Sequence, residues 1–194
     1  TGAVHWQLSL PPDKMVINIP DPVLDGDNLF LSGFYDGSTL VKINPDQLSA
    51  YIKWKRIGQS EIKTDALHCC ISTPIVEGKY IYGVDSYGQL RCLSVKNGDR
   101  IWESQQAVPK ARWANIHMVR QGDRFWFFTE RGDLIICRLT PKGYDEISRT
   151  HIIDPTTAQL DRRGGVCWSH PAFANRCVYA RNDKELVCID VSQP

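Results

Sequence analysis

Apolar residues along this chain fall in short alternating runs, each closed by a turn signal. The clearest stretch runs from Ile71 to Trp102. Pro74-Ile-Val is a short apolar run closed by Glu77-Gly78-Lys79, where glycine supplies the positive φ of a tight hairpin. Tyr80-Ile-Tyr-Gly-Val, rich in aromatic and β-branched residues, predicts a second strand, and Ser86-Tyr-Gly88 the next turn. Leu90 to Val95 alternates as a third strand, Asn97-Gly98 turns the chain again, and Arg100-Ile-Trp102 opens a fourth. Such a meander buries only one face of its sheet, so it requires neighbours.

Diverged copies supply them. The first-strand/turn/second-strand pattern recurs at Pro22, Pro74, Met118 and Pro171, spaced 52, 44 and 53 residues apart, in the range of propeller blades. Third strands are expected at Leu40, Leu90, Leu134 and Leu186, which places Cys92, Cys137 and Cys188 in one column of small packing residues, with Lys42 at that place in the first repeat. Fourth strands carry Trp54, Trp102 and, in the third repeat, Ile147. The expected fold is therefore all-β, a β-propeller of four-stranded antiparallel blades. Its repeats span about 16–58, 67–105, 113–150 and 166–194, the last completed by a strand at 3–10 whose Val4-His-Trp6-Gln-Leu resembles the Trp54 and Trp102 strands. Completion of one blade by a strand from elsewhere removes free edges. Three assemblies satisfy this pattern: half of a seven- or eight-bladed propeller, which is favoured, two copies sharing one ring, or a small four-bladed ring.

Charge is nearly balanced, 23 Lys and Arg against 22 Asp and Glu, so no global field favours nucleic acid or an anionic membrane. No apolar run approaches the ~18 residues of a membrane span. The seven cysteines include no C-x-x-C, which leaves zinc and thioredoxin-type readings without support.

With the repeats aligned, the chain resembles the pyrroloquinoline-quinone (PQQ) type propeller repeat. The residues that carry the resemblance are Tyr82-Gly-Val-Asp85-Ser-Tyr-Gly88-Gln-Leu90-Arg-Cys92-Leu93, then Asn97-Gly98 and Trp102. It is similar in particular to the PQQ-binding-like repeat proteins of planctomycete-type bacteria, and the propeller lipoprotein of outer-membrane assembly and the quinoprotein alcohol dehydrogenases share the fold. The resemblance implies docking of glycine and tryptophan between adjacent blades, a periplasmic or otherwise exported location with a cytoplasmic one left open, and, by family name only, PQQ and calcium. Adjacent cysteines form a vicinal disulfide against the quinone in the dehydrogenases. Here Cys69-Cys70 lacks the surrounding sequence of that motif and is read as one inward and one outward residue of a first strand.

Candidate chemistry lies in the long segments between repeats, all expected on one face. Asp21, Thr73, His117 and His170 directly precede the anchor positions and should ring one mouth of the central channel, with His68 nearby. Such histidines are candidates for a ligand site or acid–base work; the competing reading is that they bond loops and water. Arg112, Trp113, Arg162, Arg163 and Trp168 add forked donors beside indoles, suited to a carboxylate, phosphate or sugar. Lys63, Asp65 and Lys110 lie in the same segments. Ser169-His170 cannot form a dyad, because adjacent strand residues point to opposite faces. The expected function is a non-catalytic scaffold presenting its long-loop face to a protein, carbohydrate or small anionic ligand. The alternatives are a quinoprotein-type oxidoreductase or its relic, and a hydrolase or lyase using the channel-mouth histidines. Catalytic residues are not assigned, and no metal ligands are.

Overall fold

The structure is a computed structural model describing residues 2–12, 14–156 and 164–192. It holds three four-stranded antiparallel sheets and one of three strands. The first comprises β1 (Val23–Asp25), β2 (Asn28–Gly33), β3 (Gly37–Asn44) and β4 (Ser49–Arg56). The second comprises β5 (Ile75–Glu77), β6 (Tyr80–Val84), β7 (Leu90–Ser94) and β8 (Arg100–Ser104). The third comprises β9 (Ile116–Gln121), β10 (Arg124–Thr129), β11 (Asp133–Thr140) and β12 (Gly143–His151). The fourth comprises β13 (Ala172–Ala174), β14 (Cys177–Arg181) and β15 (Leu186–Asp190). Every sheet is a meander, so each strand hydrogen-bonds to its neighbour in sequence.

Strand pairing aligns the blades residue by residue. Phe30 faces Leu40, Tyr82 faces Cys92, Trp126 faces Ile136 and Tyr179 faces Cys188. This shifts the expected third-strand column by two residues in the first repeat: Leu40, not Lys42, matches Cys92. Cys137 sits one place further on, opposite Phe125. The third-strand leucines are a misleading guide to register here: Leu90 pairs with Val84, and the equivalent of that pair in the first sheet is Ser32 with Ser38, two residues before Leu40. In each complete sheet the third and fourth strands carry a bulge at one place, skipping Lys53, Ile101 and Ile147. The residue after the bulge is Trp54, Trp102 and Ser148, so Ser148 and not Ile147 holds the tryptophan position of the third sheet.

One face of each sheet packs against the next. Phe30 and Leu40 meet Ile81 and Leu93 in the first seam, and Tyr82, Leu90 and Cys92 meet Phe125, Phe127 and Cys137 in the second. Among the described residues the third seam is built on Phe128, Ile153, Cys167 and Ala180. Trp54 donates its indole N–H to the Val95 carbonyl (2.9 Å), and its ring lies 3.0 Å from where a Cβ on Gly98 would stand. Gly98 also has φ +75°, so a side chain there is opposed both by conformation and by the docked ring. Trp102 repeats the bond to the Thr140 carbonyl (2.7 Å).

Residues 3–10, expected as the closing strand, form no strand and join no sheet. The end of that segment, Leu10-Pro11, shares a cleft with Leu31 and Thr39 of the first sheet, so it lies there rather than beside β15.

Candidate functional site

The turn between the second and third strands of each sheet meets the long segment that follows. The Phe34 carbonyl accepts from His68 Nδ1 (2.9 Å), the Ser86 carbonyl from the Trp113 amide (2.7 Å), and the Glu130 carbonyl from the Cys167 amide (2.8 Å). These equivalent bonds pin the three long segments to one face.

His68 is a pin. The Gly58 amide donates to its Nε2 (3.0 Å), which leaves Nδ1–H to donate to Phe34, so the neutral ring uses both nitrogens. It is buried, and desolvation lowers its pKa. Its own amide donates to the Asp85 carboxylate (2.7 Å), which also accepts from Thr64 and pairs with buried Arg91 at 3.0 Å. Arg91 reaches on to Glu103 and to the Ala66 carbonyl. Asp85, legible in sequence only as a turn residue, therefore fastens the whole segment that leads into the second sheet.

The four expected mouth residues form two pairs. The Asp21 amide donates to Thr73 Oγ1 (3.0 Å), joining the first and second sheets. His117 and His170 lie against each other with ring centroids 3.8 Å apart and ring planes tilted by 44°, joining the third and fourth. His117 is buried and His170 exposed. The Trp168 carbonyl can only accept, so His117 Nε2 carries the proton and donates to it at 2.9 Å. The Asn115 amide flanks that nitrogen at 3.1 Å, and Nδ1 has no partner among the described residues. Burial first, then the neighbouring His170, lowers the His117 pKa to about 4. His68 does not join this pair in a metal cluster. Among the described residues, no group of three or more His, Cys, Asp or Glu is arranged to hold a metal ion.

Arg112 is already committed. Its Nε and Nη2 donate to the two carboxylate oxygens of Glu61, each at 2.7 Å, and Tyr87 Oη donates to the same carboxylate. The guanidinium lies 4.4 Å from the Trp113 ring centroid. Arg112 first, then Tyr87, hold the Glu61 carboxyl below its usual range against the cost of burial. Trp113 takes φ +65° and makes edge contacts with Phe34 and Trp168, at 6.0 and 6.5 Å between centroids. Trp168 donates its indole N–H to Glu130. An aromatic ladder thus crosses the face from Tyr35 and Phe34 through Trp113 to Trp168. Asp65 is held by Arg56, while Lys63 and Lys110 are exposed. Arg162 and Arg163 lie outside the described residues. Sequence reasoning misses Glu61, Phe34, Asn115 and Glu130. Of these, Glu130 and Phe34 carry one signal, their shared place with Ser86 four residues after the aligned second-strand residues Phe30, Tyr82 and Trp126.

Cys69 and Cys70 precede β5 in an irregular segment rather than standing in a strand, and no disulfide joins them. Cys69 is sealed in the seam between the first and second sheets, where burial pushes its thiol up to about 12. This surrounding does not fit a planar quinone, which needs an open platform of sulfur.

A family model described as outer membrane protein assembly factor BamB matches residues 1–194. The chain belongs to that family. Among solved structures, BamB from Moraxella catarrhalis superposes on this BamB-family chain with a TM-score of 0.54 at 14% identity, covering 89% of this chain and 44% of that one. The computationally designed Ika8 protein gives 0.53 at 8% identity, covering 87% and 44%. A quinohemoprotein alcohol dehydrogenase from Comamonas testosteroni gives 0.51 at 15%, covering 82% and 28%. At these identities the likeness is one of fold, that of PQQ-like β-propellers. The chain spans less than half the length of each. A search of curated proteins finds no match.

Proposed function

We propose that this chain is a binding scaffold, a PQQ-like propeller unit whose long-loop face docks a protein partner in the bacterial periplasm. The observation that carries this reading is the prior commitment of the face's polar groups. Arg112 is neutralised by Glu61, His68 spends both ring nitrogens on backbone, and Trp168 is bonded to Glu130. A small anion would find little uncompensated charge at Arg112. A protein would find rigid rings and their attached cations, the composition of interface anchors. His117, buried and with its pKa near 4, is poorly placed for acid–base work near neutral pH. The family description names an assembly factor, which agrees with a protein ligand.

A photo-crosslinking amino acid placed at Tyr35 or Lys110 tests this in cells that make the protein. The reading predicts discrete protein adducts from those two positions. Asp27 and Asp123, in first-to-second-strand turns at the other end of the inner strands, should give none. Adducts equal from all four positions would reject the face as the docking site.

A further inference from the structure

At the end of the sheets opposite the long-loop face, a cleft of about 470 Å³ opens between the first and second sheets, within the size range of small-molecule sites. Lys53 reaches it from the first sheet, Lys79 and Lys96 from two turns of the second, and Tyr80 and Val95 also line it. All three lysines are exposed, and among the described residues none makes an ion pair or a side-chain hydrogen bond. No carboxylate lines the cleft. Neighbouring cations differ: Lys42 is held by Asp27, Arg56 by Asp65 and Asp99, and Arg120 by Glu77. In a chain with 23 cationic and 22 anionic side chains, this cleft keeps three positive charges unpaired.

The cleft is also held in shape. Val95 is its hub: the amide donates to the Lys79 carbonyl and the carbonyl accepts the Trp54 indole N–H, both at 2.9 Å. Lys53 immediately precedes Trp54 and Lys96 immediately follows Val95, so the backbone segments that carry the three ammonium groups are fixed against one another. Blade construction does not require lysine at these places. In the second seam, Ile101 precedes the docked Trp102, Asp123 holds the turn position of Lys79, and Pro141 follows the Thr140 carbonyl that accepts the indole N–H. There the turn carboxylate is itself paired with Arg138, at 3.5 Å. Lysines on an outer strand guard a sheet edge against strand addition, which accounts for Lys53 but not for Lys79 and Lys96 in their turns.

We propose that this cleft is a binding site for a soluble phosphate-bearing anion. Three ammonium groups match an anion of two or more charges. As point charges without a guanidinium fork, they suit a tetrahedral phosphoryl group approached from several sides. The lysines line a cleft rather than a plane, and the chain's overall charge is balanced, which favours a discrete ligand over a membrane surface. The site stands apart from the long-loop face and does not depend on what that face docks.

Pyrophosphate is the probe, titrated into the unmodified chain by calorimetry at low salt, and saturable binding is expected. Loss of one charge-assisted contact should weaken it about tenfold in Lys53→Gln, Lys79→Gln or Lys96→Gln, and the triple variant should bind none. Lys142→Gln removes the same charge from the β11–β12 turn, which corresponds to the turn of Lys96, and should bind as the unmodified chain does. These variants alter exposed side chains only, so circular dichroism should not change. Absence of pyrophosphate binding overturns the proposal, as does undiminished binding by the triple variant or an equal loss in Lys142→Gln. Phosphatidylglycerol vesicles captured through the three lysines, with pyrophosphate ignored, overturn it in favour of a membrane surface.

Discussion

Between the second and third sheets, Trp102 donates its indole N–H across the seam to Thr140, and Tyr82, Cys92, Phe125 and Phe127 fill the space behind it. Between the third and fourth sheets the tryptophan position is held by exposed Ser148, and among the described residues the buried cluster is Phe128, Ile153, Cys167 and Ala180. Beside that cluster, polar contacts near the channel mouth hold the approach to the fourth sheet: the His117–Trp168 bond, the Trp168–Glu130 bond and the Cys167–Glu130 backbone bond. One register thus supports two kinds of seam. The first kind is held by burial of apolar area and is indifferent to pH. The second depends on a few hydrogen bonds, one of them made by a titratable ring.

The largest expected break is in the apolar seam. Phe125→Ala should cost about 3–5 kcal/mol by urea unfolding, because a buried ring leaves a cavity. Phe173→Ala, at the half-buried contact of the fourth sheet with Trp126, should cost roughly half as much. Equal losses would erase the distinction between seams.

Acid should act on the third seam through His117, and around His68 at the junction of the first and second sheets. The His117 pKa is depressed in the folded state, so its contribution is fully present above about pH 6.5. It is lost as pH falls toward 4, by on the order of 3 kcal/mol at most. Faster amide exchange at Cys167 and in β14 below pH 6 is the expected pattern. In His117→Asn that acid dependence should disappear.

Smaller effects sharpen the contrast. Trp102→Phe keeps an aromatic ring but loses the indole N–H bonded to Thr140, which alone costs about 1 kcal/mol. Ser148→Ala, at an exposed position outside the clustered core, should be neutral in the same assay. His151 has the opposite sign to His117. Asp133 and Asp154 raise its pKa, so its contribution is present below about pH 6.5 and fades as pH rises through the folded value. Its exposure makes that change small.

The blades were legible because turn glycines and alternating apolar runs act locally. Asn97-Gly98 and Pro74-Ile-Val specify their hairpins wherever the rest of the chain goes. The register slip at Leu40 and Lys42 was not legible, because the place of Leu90 is taken in the first sheet by buried Ser38, and the next leucine stands two residues on. The site was legible only in part. Trp113, His117, Trp168 and His170 do meet on one face, since loops entering successive blades must converge there. The commitment of Arg112 to Glu61, 51 residues away, depends on how two long segments fold over the sheets, and no local pattern encodes it. The same holds for Asp85, whose turn position was evident and whose partners Thr64, His68 and Arg91 were not.

The third seam thus leans on polar contacts at its mouth. Amide exchange of β14, measured at pH 7 and at pH 5, tests that most directly. Exchange in β14 is predicted to quicken at the lower pH in the unmodified chain and to stay unchanged in His117→Asn. Equal quickening in both proteins would contradict it.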